Sequence, residues 1–129
     1  MELRIPFHDL DPLEICWHGH YVRYFEIARA ALLRTFDYDY PDMRASGHAW
    51  PVIELYIRYA RPLRYHQRIR VEASLVEWEN RLRINYTIHD AESGQRLTRG
   101  YTIQVAVDMR TQEMCLLSPP VLAEKLGLK

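Results

Sequence analysis

Four runs of alternating side chains follow one segment of helical period, and that order leaves few folds open to the chain. Ile53, Leu55, Ile57 and Tyr59 alternate with Glu54, Tyr56 and Arg58. Ile69, Val71, Ala73 and Leu75 alternate with Arg70, Glu72 and Ser74. Leu82, Ile84, Tyr86 and Ile88 alternate with Arg83, Asn85, Thr87 and His89, and Tyr101, Ile103, Val105 and Val107 with Thr102, Gln104 and Ala106. A period of two predicts half-buried antiparallel strands. Glu79-Asn80 and Glu92-Ser93-Gly94 are turn signals between them, and Arg61-Pro62 breaks the run between the first two. Upstream, Tyr21, Phe25, Ala28, Leu32 and Phe36 recur every three or four residues, with Ala30, Ala31 and Leu33 widening the apolar face. This spacing predicts a helix of roughly four turns, buried on more than one side. Leu3, Ile5 and Phe7 predict a short first strand. Asp37 to Gly47 reads as a loop with a short helical turn, and Met114 to Leu116 as a last short strand. Ser118-Pro119-Pro120 opens a terminal helix, with Ser118 as cap and Pro119 at its first position. The sum is an α+β architecture, in which a curved antiparallel sheet of five to six strands wraps one long central helix.

With 129 residues and 48% hydrophobic content, the chain reads as a single domain over 1–129. A chain of this size is small for enclosing a pocket alone. A homodimer or homotetramer is therefore expected to supply the missing wall. Seventeen basic residues balance seventeen acidic ones, which gives no support for nucleic-acid binding. Cys16 and Cys115 form no CxxC spacing. Met1 to Pro6 lacks the apolar run of a secretion signal, and no segment is apolar enough for a membrane span. The default expectation is a cytoplasmic protein with reduced thiols.

The chemistry gathers just before the long helix. Asp11 lies seven residues ahead of His18, with a Pro12 turn between them. Both are aimed at the positive end of a helix, where an anion or a developing oxyanion is stabilised. The plainer role of Asp11 is to fix its turn through its own backbone. His18 either orients a substrate and moves a proton or packs at the helix start. Gly19 either admits a substrate to the backbone or eases the chain into the helix. His8, His18 and His20 have no recognised zinc spacing, so no metal is expected. Cys16, between Ile15 and Trp17, reads as inert packing, as does Cys115. Arg58, Arg61, Arg64 and Arg68 form a basic cluster, and its plainer role is to blunt a strand edge with charge.

Asp9 and Asp11, followed by Trp17-His18-Gly19-His20-Tyr21 and by Glu26-Ile27-Ala28-Arg29, resemble the hotdog-fold acyl-CoA thioesterases. Within them the chain is most similar to the 4-hydroxybenzoyl-CoA thioesterase-like superfamily, which includes the thioesterase encoded beside Tol-Pal genes. The resemblance spans about Glu2 to Leu126. It implies a hotdog fold and hydrolysis of an acyl-CoA or acyl-carrier-protein thioester without a cofactor. It implies catalytic roles for Asp11, as nucleophile or general base, and for His18. The backbone of His18 and Gly19 would form the oxyanion site. Trp17 and Tyr21 would contact the acyl group, as would Trp50 and Val52 on an opposing wall often supplied by a second subunit. The arginine cluster would meet CoA phosphates or an acidic carrier protein. One departure stands out: Leu13-Glu14 replaces the glycine usual in the turn, a residue chosen for an unusual backbone angle. That departure supports an alternative, a non-catalytic hotdog protein that binds acyl thioesters or acyl carrier protein. A hotdog hydratase ranks last, since a second internal Asp-x-x-x-x-His constellation is not evident.

Overall fold

The apolar stripe beginning at Tyr21 forms the helix α1 (His20–Arg34), with Tyr21, Tyr24, Phe25, Ala28 and Leu33 buried. A computed structural model describes residues 1–127; the last two residues of the domain expected over 1–129 lie outside the described residues. Five strands form one antiparallel sheet: β1 (Glu2–Arg4), β3 (Val52–Tyr59), β4 (Arg68–Glu77), β5 (Leu82–Asp90) and β6 (Arg96–Gln104), in the order β1-β4-β5-β6-β3. A separate pair joins β2 (His48–Ala49) to β7 (Val107–Asp108). Two short helices complete the chain, α2 (Tyr40–Ala45) and α3 (Pro120–Lys125).

The inner face of the sheet holds α1. Ile69 and Val71 of β4, and Leu82, Ile84, Tyr86 and Ile88 of β5, are all buried in the core with Phe25. Phe25 stacks on Tyr86 at 4.4 Å between ring centroids. Complete burial of such a ring contributes on the order of 2–3 kcal/mol. On β6 both sets of side chains are covered: Ile103 is buried, as the apolar reading expects, Tyr101 is only partly covered, and Thr98, Gly100, Thr102 and Gln104 of the other set are buried as well. Hydrogen bonds offset the burial of Thr102 and of the Gln104 amide N–H, while the Thr98 hydroxyl has no partner among the described residues. Tyr86 and Thr102 share a hydrogen bond at 2.8 Å, and the Gln104 Nε2 donates to the Trp50 carbonyl at 2.7 Å. Gly100 serves the same face: a Cβ there would lie 2.3 Å from the Tyr56 carbonyl and 2.8 Å from the Phe25 ring.

Other expectations shift locally. Phe7 does not continue β1; it lies in a 3₁₀ turn (Phe7–Asp9), exposed, with its ring edge-on to Tyr65. The segment 37–47 contains a full helix, α2, stabilised by a reciprocal capping box between Asp39 and Asp42. The expected run to Val107 ends at Gln104, because the chain leaves the sheet to pair β7 with β2. Met114 forms only an isolated bridge to Val107. Helix α3 starts one residue later than expected, with Pro119 as its cap and without a side-chain bond from Ser118.

The loop that carries the candidate chemistry is pinned at both ends. Leu10 bridges Cys16, Ile15 bridges Arg64, and the Cys16 N–H donates to the Leu63 carbonyl at 2.7 Å. Between them the Asp11 side chain accepts the Leu13 N–H at 2.8 Å, and the Glu14 N–H donates to the Asp11 carbonyl at 2.9 Å. Glu14 has φ +63°, the left-handed conformation that glycine reaches without cost. The turn therefore closes without its glycine, at the expense of backbone strain. Glu14→Gly is expected to raise stability by about 0.5–1 kcal/mol, the strain relieved less the entropy lost by glycine. Urea denaturation of the two proteins checks this; a midpoint equal to or below that of the wild type refutes it.

Candidate active site

Of the two aspartates in the loop, the structure buries Asp9 and leaves Asp11 partly open. Asp9 is 1% exposed. Its Oδ2 accepts from the Tyr24 hydroxyl at 2.5 Å and from the Arg23 guanidinium, both on the first turns of α1. Its carbonyl accepts the Trp17 N–H at 2.9 Å. Asp9 thus ties the loop to the helix through backbone and side chain together. Burial pushes its carboxyl up, but the Tyr24 hydroxyl, Arg23 and His20 outweigh this and hold it below the usual carboxylate range. Oδ1 has no hydrogen-bond partner; the nearest imidazole nitrogens are those of His8 at 3.6 Å and His20 at 3.9 Å. Among the described residues, no group of three His, Cys, Asp or Glu side chains is placed to hold a metal ion.

Around the helix start, the expected residues fall into different environments. His18 is exposed, its ring between Trp17 and Tyr59, and its carbonyl accepts the Tyr59 hydroxyl at 2.9 Å. The His18 and Gly19 N–H groups have no hydrogen-bond partner among the described residues, and α1 begins without a side-chain cap. They are the open donors of the helix N-terminus. Asp11 and His18 make no ion pair with each other. Gly19 has ordinary helical backbone angles, so conformational freedom does not explain it. Packing does: a Cβ would lie 2.2 Å from the Trp17 ring, which covers the glycine. Tyr21 lies in the core, its hydroxyl accepting the Leu63 N–H at 3.3 Å, and burial pushes its phenol up to about 12. Cys16 is likewise buried, with its thiol pushed up by burial, which fits inert packing.

Trp50 and Val52 stand at the other end of β3 from Tyr59. Val52 is exposed, whereas Trp50 is buried, its indole donating to Tyr38 at 3.1 Å. Trp50 lines an open cavity of about 570 Å³ with Glu26, Arg29, Leu33, Met43 and Gln104. The lining is mainly apolar, with a few polar atoms, as in small-molecule sites. Two of these lack partners: Gln104 Oε1, on a residue 4% exposed, and His48 Nδ1. Neither the Asp9 anchor nor Gln104 was identified as functional from sequence. Gln104 belongs to the polar set of β6, and only the inward turn of that set would have pointed to it.

Asp9 generates a prediction with a definite sign. Its folded carboxyl lies below the ordinary value of 3.8, so the stability it contributes is present above that pH and is lost as pH falls through the lower folded value. Asp9→Asn is expected to cost about 3 kcal/mol at neutral pH, as for other broken buried ion pairs. The cost should shrink at acid pH. Denaturation at pH 7 and pH 3 measures both; a cost that is small, or the same at both pH values, refutes the anchor.

Comparison with known proteins places this geometry. The family described as the thioesterase-like superfamily matches residues 5–126. A Synechocystis protein named only provisionally as an esterase is 30% identical over 125 residues, 96% of this chain and 75% of the relative. A DHNA-CoA thioesterase structure from Staphylococcus aureus superposes with TM-score 0.85 at 24% identity, covering 98% of this chain and 87% of the other. A 1,4-dihydroxy-2-naphthoyl-CoA thioesterase from Synechocystis superposes with TM-score 0.85 at 20% identity, covering 99% and 95%. At those identities the two structures establish the fold. One helix against a five-stranded antiparallel sheet, together with a family match over nearly the whole length, leads to one conclusion: this chain is a hotdog-fold member of the thioesterase-like superfamily, a group of thioester hydrolases.

Proposed function

We propose that the chain hydrolyses an acyl thioester at the start of α1, with Asp11 as general base. What supports the reading is the order along the chain: a carboxylate on a pinned loop comes seven and eight residues before two open backbone donors, His18 N–H and Gly19 N–H, at the exposed helix start. Asp11 Oδ1 is engaged by Leu13, which orients the carboxylate and leaves Oδ2 to take a proton. In the proposed step, water attacks the thioester carbonyl and its proton passes to Asp11. The oxygen of the tetrahedral intermediate is stabilised by the open N–H groups and the helix dipole. Collapse breaks the C–S bond, and Asp11 returns the proton to the thiolate. His18, beside these donors, orients the bound carbonyl.

The site has one wall, and a second copy of the chain supplies the other. β3 is the outer strand of the sheet, and Val52, Ile53, Leu55, Tyr56 and Tyr59 are exposed along it. An apolar open edge of this length is a template for strand pairing. Antiparallel pairing of two β3 edges brings the Val52 end of one copy beside the Tyr59 end of the other. The cavity at Trp50 and Gln104 in one subunit then lies near His18 of its partner. That cavity takes the acyl group. The open Gln104 Oε1 suits an acyl group carrying a hydroxyl, as the dihydroxynaphthoyl substrate named for one structural relative does. No described helix is long and apolar enough to cross a membrane. Both cysteines are free thiols, and a reducing cytoplasmic setting belongs to the same reading.

Asp11→Asn is expected to keep the fold, by circular dichroism, and to lower thiol release from acyl-CoA by about 10³-fold, in the range of general-base catalysis. Near-wild-type release would overturn the assignment. In a single turnover in ¹⁸O-water, the acid product should carry the label; label in Asp11 instead would make the carboxylate the nucleophile. Leu55→Arg is expected to convert a dimer into monomers, seen by sedimentation velocity, and to abolish thiol release along with it. A monomeric wild type with full activity would refute the two-copy site.

A further inference from the structure

The two open donors at the helix start belong to different peptide units, and those units are held differently. His18 N–H shares a peptide with the Trp17 carbonyl, which accepts the His20 N–H at 3.0 Å. That bond closes within one turn of the chain. Gly19 N–H shares a peptide with the His18 carbonyl. The turn bond to that oxygen, from Tyr21 N–H, is long at 3.4 Å. The shorter bond comes from outside the segment: the Tyr59 hydroxyl donates to the His18 carbonyl at 2.9 Å, across 41 residues of sequence.

β3 places Tyr59 for this contact. It is the last residue of the strand, in register with Thr98 of β6. Its ring stands edge-on to the buried Tyr21 at 4.6 Å between centroids, and edge-on to the His18 ring at 6.2 Å. Packing therefore fixes the ring separately from the hydroxyl. Burial pushes the phenol above the usual tyrosine value, so near neutral pH the hydroxyl keeps its proton and stays a donor.

In a trans peptide the C=O and N–H lie in one plane and point in opposite directions. A donor that fixes the carbonyl fixes the direction of the N–H as well. The two ends are also coupled electronically. When Gly19 N–H gives its hydrogen bond to an oxyanion, the amide moves electron density onto the His18 carbonyl, which becomes a stronger acceptor. The Tyr59 bond then strengthens as charge develops on the substrate. Such a bond favours the transition state over the bound thioester.

We propose that Tyr59 is a positioning residue of the hydrolytic site, acting through the His18–Gly19 peptide to aim and polarise the Gly19 N–H. The proposal rests on the thioesterase reading, with its oxyanion site at the helix start, and does not depend on the role of Asp11. A tyrosine that only packed β3 against the helix would need its ring and not its hydroxyl.

Tyr59→Phe removes the hydroxyl and keeps the ring. With benzoyl-CoA as substrate, kcat is expected to fall about 10-fold, the worth of one hydrogen bond, while KM stays at its wild-type value. An unchanged kcat, or a loss confined to KM, would overturn the proposal. A second measurement needs no turnover. Its probe is the ketone analogue of benzoyl-CoA, in which CH2 replaces the thioester sulfur and the carbonyl carries ¹³C. In infrared difference spectra, the bound carbonyl stretch should lie at higher wavenumber in Tyr59→Phe than in the wild type, because a weaker donor polarises it less. The same band position in both proteins would overturn the proposal. No variant can hydrolyse the analogue, so the comparison stands even if Asp11→Asn keeps its activity; that outcome removes Asp11 and leaves Tyr59. If the wild type hydrolyses no thioester, a band that moves between the two proteins sustains the polarised Gly19 donor without the hydrolytic reading. A wild type that does not bind the analogue, by calorimetric titration, refutes both.

Discussion

The buried carboxylate of Asp9 is the interaction on which the geometry of the site depends. A charged group at 1% exposure is costly unless it is engaged. Asp9 offsets that cost through Oδ2, with Arg23 and Tyr24 of the helix that the loop must approach, while Oδ1 has only the imidazoles of His8 and His20 nearby. Its backbone fixes Trp17 in turn, and the Trp17 ring then covers Gly19. One carboxylate thus sets the distance between loop and helix, and with it the place of Asp11 and of the open His18 and Gly19 donors. The left-handed Glu14 is tolerated within this frame because the loop is pinned on both sides, at Leu10–Cys16 and at Ile15–Arg64.

Much of the fold was legible because burial on one face imposes a period. α1, β4 and β5 follow their apolar sets closely, as each presents a single stripe to the same core. β6 has both of its sets covered, and the reason is local chemistry. A glycine is needed opposite Phe25, and Thr102 and Gln104 find partners in Tyr86 and Trp50, so the polar set turns inward. Hydrophobic alternation cannot foresee a face stabilised by hydrogen bonds to residues far away in sequence. α2 was legible only in part: Asp39 and Asp42 three residues apart form the capping box, a signal independent of the weak apolar pattern there.

The site was legible as a segment rather than as a set of roles. The spacing of Asp11, His18 and Gly19 marked the helix start, and the structure puts a loop and two open donors there. Which of two neighbouring aspartates is buried is decided by Arg23 and Tyr24, fourteen and fifteen residues on, and no local pattern announces that choice. The arginines teach the same point. Proximity in sequence grouped Arg58 with Arg61, Arg64 and Arg68, whereas antiparallel register groups it with Arg99.

The two faces of β3 explain why the remaining surfaces of the chain look unfinished. An inner strand has partners on both sides and can bury one face completely, as β5 does with four residues. β3 has one partner, β6, and is exposed almost throughout. Its inner end touches the helix start through Tyr59, and its outer face sets Arg58 opposite Arg99 and Tyr56 opposite Tyr101. In the proposed two-copy site, the exposed apolar side chains of β3 are the ones a second copy along this edge would cover.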